Sequence, residues 1–362
     1  MHVVFLSTSV GALGSGVGGG VELTMRTLAD GLVARGHTVT VVAPRGSQLG
    51  AHRVVHVDGA LHVPSQTLDR STPPVVPADS VLVNMWHEAC RLAEPADRAD
   101  RVDLVLNFAY DALPFDASSD CPSAVAHLVS MGSLNDEMDR AVTGALRRTP
   151  GCVAMHSTAQ AATFADLNTA EVEVVMSGVD LSAYDFVEHA TDDLAFVGRI
   201  SAEKGIDDVF AVAQHSGRRV IAFGLMQDEF AWRAAARRFP SARVEHAGFL
   251  ATADLQARLG RCAALVMVHR WVEAFGNVAI EALACGVPVI TYDRGGPAEI
   301  VRDGVTGFVV PADDTAAVVG AVERLSVIDR RRCRADAQAR YSQEAFASRV
   351  ERWLERVVAA RR

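Results

Sequence analysis

The sequence predicts an α/β protein of two domains, each built on a parallel sheet. Its 362 residues exceed one domain of ordinary size, which takes about 100 to 200 residues. Hydrophobic residues make up 49% and charged residues 22%, enough apolar material for two cores. Short apolar runs alternate with segments of helical periodicity in both halves, and that order is typical of parallel sheets covered by helices.

The first half begins with an apolar run at residues 3–6, a glycine-dense loop at 11–20 and a helical segment at 21–34. Further runs predict strands at 39–42, 81–83, 102–106, 124–128, 153–155 and 172–176. The poorly patterned stretch 45–79 is expected to be a long surface excursion that covers part of a ligand cleft.

The second half repeats the alternation after a joining segment at 177–193. Apolar runs predict strands at 194–197, 220–223, 244–247, 265–268, 287–291 and 307–310. An amphipathic helix at 343–358 ends the pattern, with Phe346, Val350 and Trp353 on one face. Open parallel sheets bind ligands outside the carboxyl ends of their strands, so we expect the chemistry in a cleft between the two domains.

The composition of the chain argues against several classes of partner. The formal net charge of -9 gives no basic surface for nucleic acid or an anionic membrane, and we expect neither partner. The six cysteines have neither disulfide-like nor zinc-like spacing, which predicts reduced, buried thiols and no metal. With neither a signal-like amino terminus nor a membrane-length apolar run, a cytoplasmic location is expected. No feature indicates an oligomeric state.

Residues 14–19 literally fit the pattern G-x-G-x-x-G after a strand. A dinucleotide site would want an acid at the end of the next strand, but 39–42 runs into Ala43, Pro44 and Arg45. What the loop retains is close backbone approach and a following helix whose N–H groups suit an anion. We therefore expect phosphate contacts here, with a plain flexible turn as the alternative.

The segment 196–205 ends a strand and carries Arg199 and Lys204 on a loop that opens a helix. Lys204 is the only lysine, the other 34 of the 35 basic residues being arginine, which favours a site that wants a compact ammonium. Two such cations would stabilise a departing diphosphate without a metal. The alternative is that Arg199 pairs with a local acid and Lys204 is solvated.

The segment 273–290 carries two glutamates with seven residues between them. Glu281 lies in the second turn of a helix and can accept hydrogen bonds from two ribose hydroxyls, while Glu273 lies before that helix, toward the sugar. Backbone N–H groups of Phe275, Gly276 and Asn277 suit a phosphate. The structural alternative is that Glu273 is an acid at a helix N-terminus and Glu281 a surface residue, but Glu281 is flanked by apolar residues, a poor setting for an unpartnered carboxylate.

Taken together, these motifs resemble glycosyltransferase family 4, which has the GT-B fold. The resemblance rests on residues 19–22, 32–39, 198–205, the two glutamates and the segment 295–307. The segment 175–180 is similar to the family's hinge, with Ser177 in place of an asparagine.

The resemblance implies two Rossmann-like domains facing a central cleft: an acceptor domain at 1–180, completed by the helix at 343–362, and a donor domain at 181–342. It implies retaining transfer from a UDP-, GDP- or other nucleotide sugar without a metal or other cofactor. Arg199 and Lys204 would then meet the diphosphate beside Gly198. Glu281 would meet the ribose and Glu273 the sugar, and the amides of Gly19 and Gly20 would close on phosphate.

In the first domain the family often has a histidine facing the sugar, and His127 ends a strand at that place. Leu128 follows it where a small or acidic residue is usual, so a structural histidine is an equal alternative. Asn107, Tyr110 and Asp111 follow another strand and are candidate acceptor residues. His269 and Trp271, just before Glu273, are candidates to shape the sugar pocket.

The preferred interpretation is transfer of a hexosyl group to a hydroxyl of a small soluble acceptor such as a sugar or natural product. A lipid acceptor is less favoured because Arg140, Arg147 and Arg148 are diluted by acids in 136–148. The alternatives are a nucleotide-sugar 2-epimerase, a non-catalytic nucleotide-sugar binding module and, third, a nicotinamide oxidoreductase.

Overall fold

The computed structural model describes residues 1–15, 19–63, 70–72, 75–94 and 101–361. They form two compact units, Met1–Ser177 with Gln343–Arg362, and Gly178–Ser342. The strands are β1 (His2–Leu6), β2 (Thr38–Pro44), β3 (Arg53–Val57), β4 (Leu104–Asn107), β5 (Ala124–Val129), β6 (Val153–Met155), β7 (Glu173–Val174), β8 (Leu194–Val197), β9 (Val220–Phe223), β10 (Val244–Gly248), β11 (Ala264–Met267), β12 (Val289–Tyr292) and β13 (Gly307–Val310). The helices are α1 (Gly20–Ala34), α2 (Val81–Leu92), α3 (Ala112–Asp116), α4 (Asp136–Arg148), α5 (Thr158–Ala161), α6 (Ile206–Ser216), α7 (Glu229–Arg238), α8 (Thr252–Leu259), α9 (Asn277–Ala284), α10 (Gly296–Ile300), α11 (Thr315–Glu323), α12 (Arg330–Tyr341) and α13 (Gln343–Arg361).

The described part of the first unit holds a seven-stranded sheet in the order β3-β2-β1-β4-β5-β6-β7, with every pair parallel. Its central strand β1 is apolar from Val3 to Leu6, and these side chains are fully buried. A continuous apolar run is what a parallel strand needs when both of its faces are covered. The order reverses between β1 and β4, which makes the carboxyl ends of these strands a ligand-binding position in folds of this type.

The last helix, α13, belongs to the first unit. It packs along α1, where a Cβ added to Gly31 would lie 2.7 Å from the Cβ of Ala347, so glycine is what permits the close approach. The Trp353 indole N–H donates to the Gly151 carbonyl at 2.7 Å, and Phe346 and Val350 are fully buried in the same core. The amphipathic pattern predicted the helix, and the family resemblance implied its return to the first unit, where the structure places it.

The described part of the second unit holds a six-stranded parallel sheet in the order β10-β9-β8-β11-β12-β13. Here the order reverses between β8 and β11, which pair directly. Loops that leave the carboxyl ends of these two strands start side by side at one edge of the sheet. The two-unit α/β architecture predicted from the alternation is confirmed, and the predicted strands of this unit are found within one or two residues.

Two predictions in the first unit are wrong. The run 81–83 is the first turn of α2 and not a strand, because Ser80 caps it by accepting a hydrogen bond from the Leu82 N–H at 3.2 Å. The stretch 45–79 is not solely a surface excursion, because Arg53–Val57 forms β3 on the edge of the sheet beside β2. Residues 64–69 and 73–74 of that stretch lie outside the described residues. None of the described helices is both long and apolar enough to cross a membrane.

Candidate active site

The loops that follow β8 and β11 meet at the carboxyl edge of the second sheet. Gly205 has a φ of +78°, and a Cβ there would lie 1.9 Å from the Val268 carbonyl oxygen, so the two loops touch where only glycine fits. The Arg270 backbone N–H donates to the Glu203 carbonyl at 2.9 Å across the same junction. The sheet order thus brings together the residues that flank Lys204 and Glu273, which are far apart in sequence.

Lys204 and Glu273 form an ion pair at this junction, with side chains 13% and 18% exposed. The same Glu273 oxygen, Oε2, accepts a hydrogen bond from the Trp271 indole N–H at 3.2 Å, and the His269 Nε2 lies 3.3 Å from it. The Lys204 ammonium also stands 4.8 Å from the centroid of the Trp271 ring. One carboxylate therefore organises a cation, an imidazole and an indole, all four proposed from sequence for this site.

Two members of this cluster, Glu273 and His269, have shifted pKa values. Burial raises the pKa of Glu273, but Lys204, His269 and Trp271 outweigh it and hold the pKa below its usual range. Burial lowers the pKa of His269 to about 4, despite the opposite effect of Glu273. At neutral pH Glu273 is therefore a carboxylate and His269 a neutral imidazole.

Glycines of the segment 295–307 support the Glu273 loop from behind. The Gly296 N–H donates to the Glu273 carbonyl at 2.8 Å. A Cβ on Gly295, whose φ is +73°, would lie 2.6 Å from that carbonyl oxygen, and one on Gly296 would lie 2.4 Å from the Phe275 Cα. This close packing is the physical reason for two adjacent glycines in the motif.

Arg199 takes a more open position. Its side chain is 42% exposed, and its Nη2 lies 3.7 Å from Oε1 of Glu203, one helical turn later. This is a long, solvated pair of the kind that contributes little to stability. Gly198 precedes it with a φ of +155° and the Lys204 Cδ 4.0 Å from where a Cβ would be. Arg199 therefore has a local acid partner, as the alternative interpretation expected. Lys204 is paired with Glu273 and is not simply solvated.

Glu281 lies in the second turn of α9, and its residue is 8% exposed. Within the described chain no hydrogen bond or ion pair is found for its carboxyl group, and burial raises its pKa to about 7. The helix that carries it begins at Asn277, half-buried, after Gly276, whose φ is +95°. Phe275 is buried and packs edge-on against Tyr341. Glu281 is thus not a surface acid: it is a buried acceptor with unused hydrogen-bonding capacity.

The predicted phosphate loop of the first unit is described in part, since residues 16–18 lie outside the described residues. Gly19 has a φ of +58° and precedes α1, and both Gly19 and Gly20 are exposed. The Gly14 N–H donates to the Glu22 carboxylate at 2.9 Å. The assigned phosphate contacts of Gly19 and Gly20 stay predictions.

The first-unit candidates are engaged in interior contacts. His127 is fully buried in β5, its ring stacked on Phe115 at 4.1 Å between centroids. The Asn107 amide donates to the His127 Nδ1 at 3.2 Å, and among the described residues its Nε2 finds no partner. Burial, with a smaller effect of Arg148, lowers the pKa of His127 to about 3. In this arrangement the imidazole presents no surface to a substrate.

The acceptor candidates also have structural roles. Tyr110 donates its hydroxyl to the Gly132 carbonyl at 2.7 Å, and burial raises its pKa. Asp111 caps α3 through the Leu113 N–H at 3.1 Å and contacts the His62 Nε2 at 3.2 Å. Sequence reasoning missed His62, which lies within the unpatterned stretch. It also missed Asp208, the second of two adjacent acids at the start of α6, which is buried.

Among the described residues, no group of three or more histidine, cysteine, aspartate or glutamate side chains is arranged to hold a metal ion. The two cations assigned from the sequence, Lys204 and the more exposed Arg199, lie at the junction, and Arg270 lies on the loop after β11.

Comparison with known proteins agrees with this architecture. Residues 18–183 match the model of Glycosyltransferase Family 4, and residues 187–345 match that of Glycosyl transferases group 1. The chain is 31% identical to a D-inositol 3-phosphate glycosyltransferase of Mycobacterium tuberculosis, over 58% of this chain but 45% of that protein. The chain therefore corresponds to less than half the length of that relative.

Two solved structures share the fold over nearly the whole chain. AviGT4, a glycosyltransferase involved in avilamycin A biosynthesis, has a TM-score of 0.72 and 22% identity, covering 99% of this chain and 98% of that one. Anabaena HepE in complex with UDP-glucose has a TM-score of 0.72 and 18% identity, covering 98% and 100%. With both halves matched by glycosyltransferase models and the fold shared throughout, this chain belongs to glycosyltransferase family 4 and has the GT-B fold.

Proposed function

We propose that this chain is a glycosyltransferase that moves a hexosyl group from a nucleotide-diphospho-sugar to a hydroxyl of a small soluble acceptor, with retention of configuration. The observation that carries the proposal is the convergence of Lys204, Glu273, His269 and Trp271 where β8 and β11 end. A partly buried cation beside polar groups that suit sugar hydroxyls is what a diphosphate leaving group needs next to its sugar.

In the proposed reaction the bond between the sugar C1 and the diphosphate oxygen breaks, and a bond forms between C1 and the acceptor oxygen. The acceptor's hydroxyl proton passes to the departing phosphate oxygen, which lies on the same face of the sugar when configuration is retained. Lys204 exchanges its partner Glu273 for the diphosphate, and Arg199 supports it from the exposed side. Fixed cations stabilise the charge that develops on the leaving group.

The Glu273 carboxylate and the neutral His269 would hold sugar hydroxyls, since one accepts hydrogen bonds and the other can donate or accept them. Glu281 would accept hydrogen bonds from the ribose, which use the capacity that its buried carboxyl group has left. The second unit would thereby hold the donor and the first unit the acceptor. UDP-glucose is the first donor to test because HepE is described in complex with it.

A thermal-shift panel of nucleotide diphosphates and their sugars tests the donor part. A ligand at 100 times its Kd adds about 2.7 kcal/mol to the unfolding free energy, which is readily seen as a rise in Tm. One base family should stabilise the protein. No shift with any nucleotide diphosphate would overturn the proposal.

Product analysis then tests the transfer. The stabilising donor is incubated with sugars, inositol phosphates and natural-product alcohols, and the anomeric proton of the product is read by NMR. The coupling constant should match that of the donor anomer. Conversion of the donor without any acceptor would instead indicate the epimerase, and binding without turnover would indicate a binding module.

A further inference from the structure

A second side-chain link joins the loop after β11 to α6, the helix that follows the Lys204 loop. Arg270 lies between His269 and Trp271, but its side chain pairs with Asp208 of α6, Nη2 to Oδ1 at 2.6 Å and Nε to Oδ2 at 3.3 Å. The Tyr292 hydroxyl, at the end of β12, donates to the same Oδ2 at 3.2 Å. We refer to Asp208, Arg270 and Tyr292 as the brace.

The brace is built around a buried carboxylate. Asp208 is 5% exposed and Tyr292 is 1% exposed, while about half of the Arg270 side chain is exposed. Asp208 lies in the first turn of α6, where the helix dipole favours a negative charge. A bidentate arginine and a tyrosine hydroxyl satisfy that charge in a fixed geometry. Removing one partner of such a pair leaves a buried charge unpaired, which destabilises the fold.

The brace spans the same two segments as the Lys204–Glu273 ion pair. Lys204 lies two residues before Ile206, where α6 begins, and Glu273 lies three residues after Arg270. Besides the backbone hydrogen bond from Arg270 to Glu203, the two segments therefore have two side-chain connections: one through Lys204, which a phosphate can displace, and one through Asp208. When a diphosphate draws Lys204 away from Glu273, the brace is the side-chain link that remains among these residues.

We propose that Asp208, acting with Arg270 and Tyr292, is a positioning residue that keeps the Glu273 loop in register with the Lys204 loop once the donor has displaced the Lys204–Glu273 pair. This inference rests on the proposed function, because it assumes a diphosphate at Lys204. It assigns Asp208 no contact with substrate. Its effect on the position of the Glu273 loop belongs to the loaded site, since in the empty site the Lys204–Glu273 ion pair also links the loops.

The test uses 5-fluorotryptophan-labelled protein and inorganic pyrophosphate as the probe. Trp271 is one of four tryptophans, and its ¹⁹F resonance is assigned from the Trp271→Phe variant. In the wild type we expect pyrophosphate to shift this resonance and leave it sharp. In Asp208→Asn the empty protein should give the wild-type resonance, whereas pyrophosphate should broaden or split it.

Kinetics give the second readout. With the donor found by thermal shift, Asp208→Asn should lower kcat by about 10- to 100-fold, because misplacement of about 1 Å carries a penalty of that order. The KM for the donor should change much less. Arg270→Lys, which keeps the charge and one hydrogen bond, should lower kcat less than Asp208→Asn does. Tyr292→Phe should also lower kcat, but less. It replaces Asp208→Asn as the test variant if Asp208→Asn does not fold.

Asp336→Asn is the matched control. Asp336 is a buried carboxylate of the same unit, paired with Arg302 at 3.2 Å and Arg340 at 3.1 Å but outside both loops. It should lower Tm as Asp208→Asn does, yet leave kcat and the pyrophosphate-bound Trp271 resonance at wild-type values. A wild-type kcat and a sharp bound resonance in Asp208→Asn would overturn the brace alone. No response of wild-type Trp271 to pyrophosphate would overturn the diphosphate site itself, and the brace with it.

Discussion

The carboxyl edges of the two sheets carry similar polar residues in opposite states. At the first, between β1 and β4, Asn107 and Asp111 hydrogen-bond to neighbouring backbone N–H groups at 2.9 and 3.1 Å. At the second, between β8 and β11, Lys204 and Glu273 pair with each other, and Glu281 keeps a carboxyl group for which the described residues supply no partner.

The difference separates a polar interior from a candidate site. Groups that satisfy backbone atoms gain nothing from a ligand, whereas a paired cation or an unsatisfied carboxyl group can exchange its environment for a substrate. A pKa shifted by burial occurs at both edges, in His127 and in Glu281, and therefore does not by itself identify the site. Because the buried His127 Nε2 also lacks a partner among the described residues, the feature that distinguishes the second edge is the partly exposed Lys204–Glu273 pair, which a ligand can displace.

The largest expected effect is at Lys204. Lys204→Ala should lower kcat by about 10²- to 10³-fold, because a fixed charge aimed at a leaving group is worth roughly 3 kcal/mol in the transition state. Lys204→Arg should recover little, since a planar fork does not replace a compact ammonium. Steady-state kinetics with the donor found by thermal shift provide the measurement.

The control for this loss of charge is Arg238→Ala, which removes an exposed cation of the same unit, paired with Asp207 at 2.8 Å. It should retain the wild-type kcat. If Lys204→Ala and Arg238→Ala had equal activity, Lys204 would have no special role and the second edge would not be the active site.

The next effect concerns Glu281. Glu281→Ala should weaken nucleotide diphosphate binding by about 1.5 to 3 kcal/mol, the range for hydrogen bonds to a charged group. Because ribose hydroxyls donate to the ionised carboxylate, binding should lower the pKa of Glu281 from about 7 and release a proton near neutral pH. Calorimetry at pH 7 in two buffers of different ionisation enthalpy measures that proton.

At the same position, the Glu281→Gln variant should gain stability although it binds nucleotide more weakly. A carboxyl group whose pKa is raised on folding stabilises the fold below the unfolded pKa, near 4.5, and this stabilisation is lost as pH rises through about 7. At pH 8, Glu281→Gln should therefore have a higher Tm than the wild type while binding nucleotide more weakly. The exposed Glu245→Gln serves as the control and should change neither quantity. A proton release unaltered in Glu281→Gln would contradict the assignment.

A smaller effect is expected at the first edge. Burial holds the pKa of His127 at about 3, below its unfolded value of 6.5, so its contribution to stability is present above pH 6.5 and is lost as pH falls toward 3. His127→Leu should flatten the pH dependence of Tm over this window. Its effect on kcat should be smaller than that of Lys204→Ala, measured at a temperature where both variants are folded. A loss of kcat as large as that of Lys204→Ala would instead indicate that His127 takes part in catalysis.

Sequence reasoning worked where one local pattern fixes both element and position. The apolar runs located β8 and β11, and the resemblance of the loops that follow them to glycosyltransferase family 4 assigned Lys204 and Glu273 to one site. The pairing of β8 with β11 explains how the fold brings these two residues together. It failed at 81–83, where an apolar run without visible alternation fits a strand or a buried helix turn equally well. The short edge strand β3, with half-exposed and exposed residues, gave no apolar run to detect.

The brace could not be predicted from the sequence for a different reason. Two adjacent acids at 207–208 suit any helix start, and which of them is buried depends on the rotation of α6 against the sheet. Likewise, burial of His127 under Phe115 depends on packing between β5 and α3, which the local sequence does not specify. Strand ends are local features, but side-chain partners are tertiary ones.

Removal of metal ions is expected to leave kcat unchanged. This experiment tests whether the side-chain cations at the second edge are enough to stabilise the leaving group. In transferases that neutralise a diphosphate with a divalent ion, chelation removes the charge that the leaving group needs. Here Lys204 and Arg199 are proposed to supply it, so kcat in excess EDTA should stay within about twofold of its value with Mg²⁺, a factor of two being about 0.4 kcal/mol. Lys204→Ala assayed with and without Mg²⁺ completes the comparison, since a metal-independent site should not regain activity when only the ion is supplied. A loss of wild-type activity in EDTA that Mg²⁺ or Mn²⁺ restores would show that the side-chain cations are not enough.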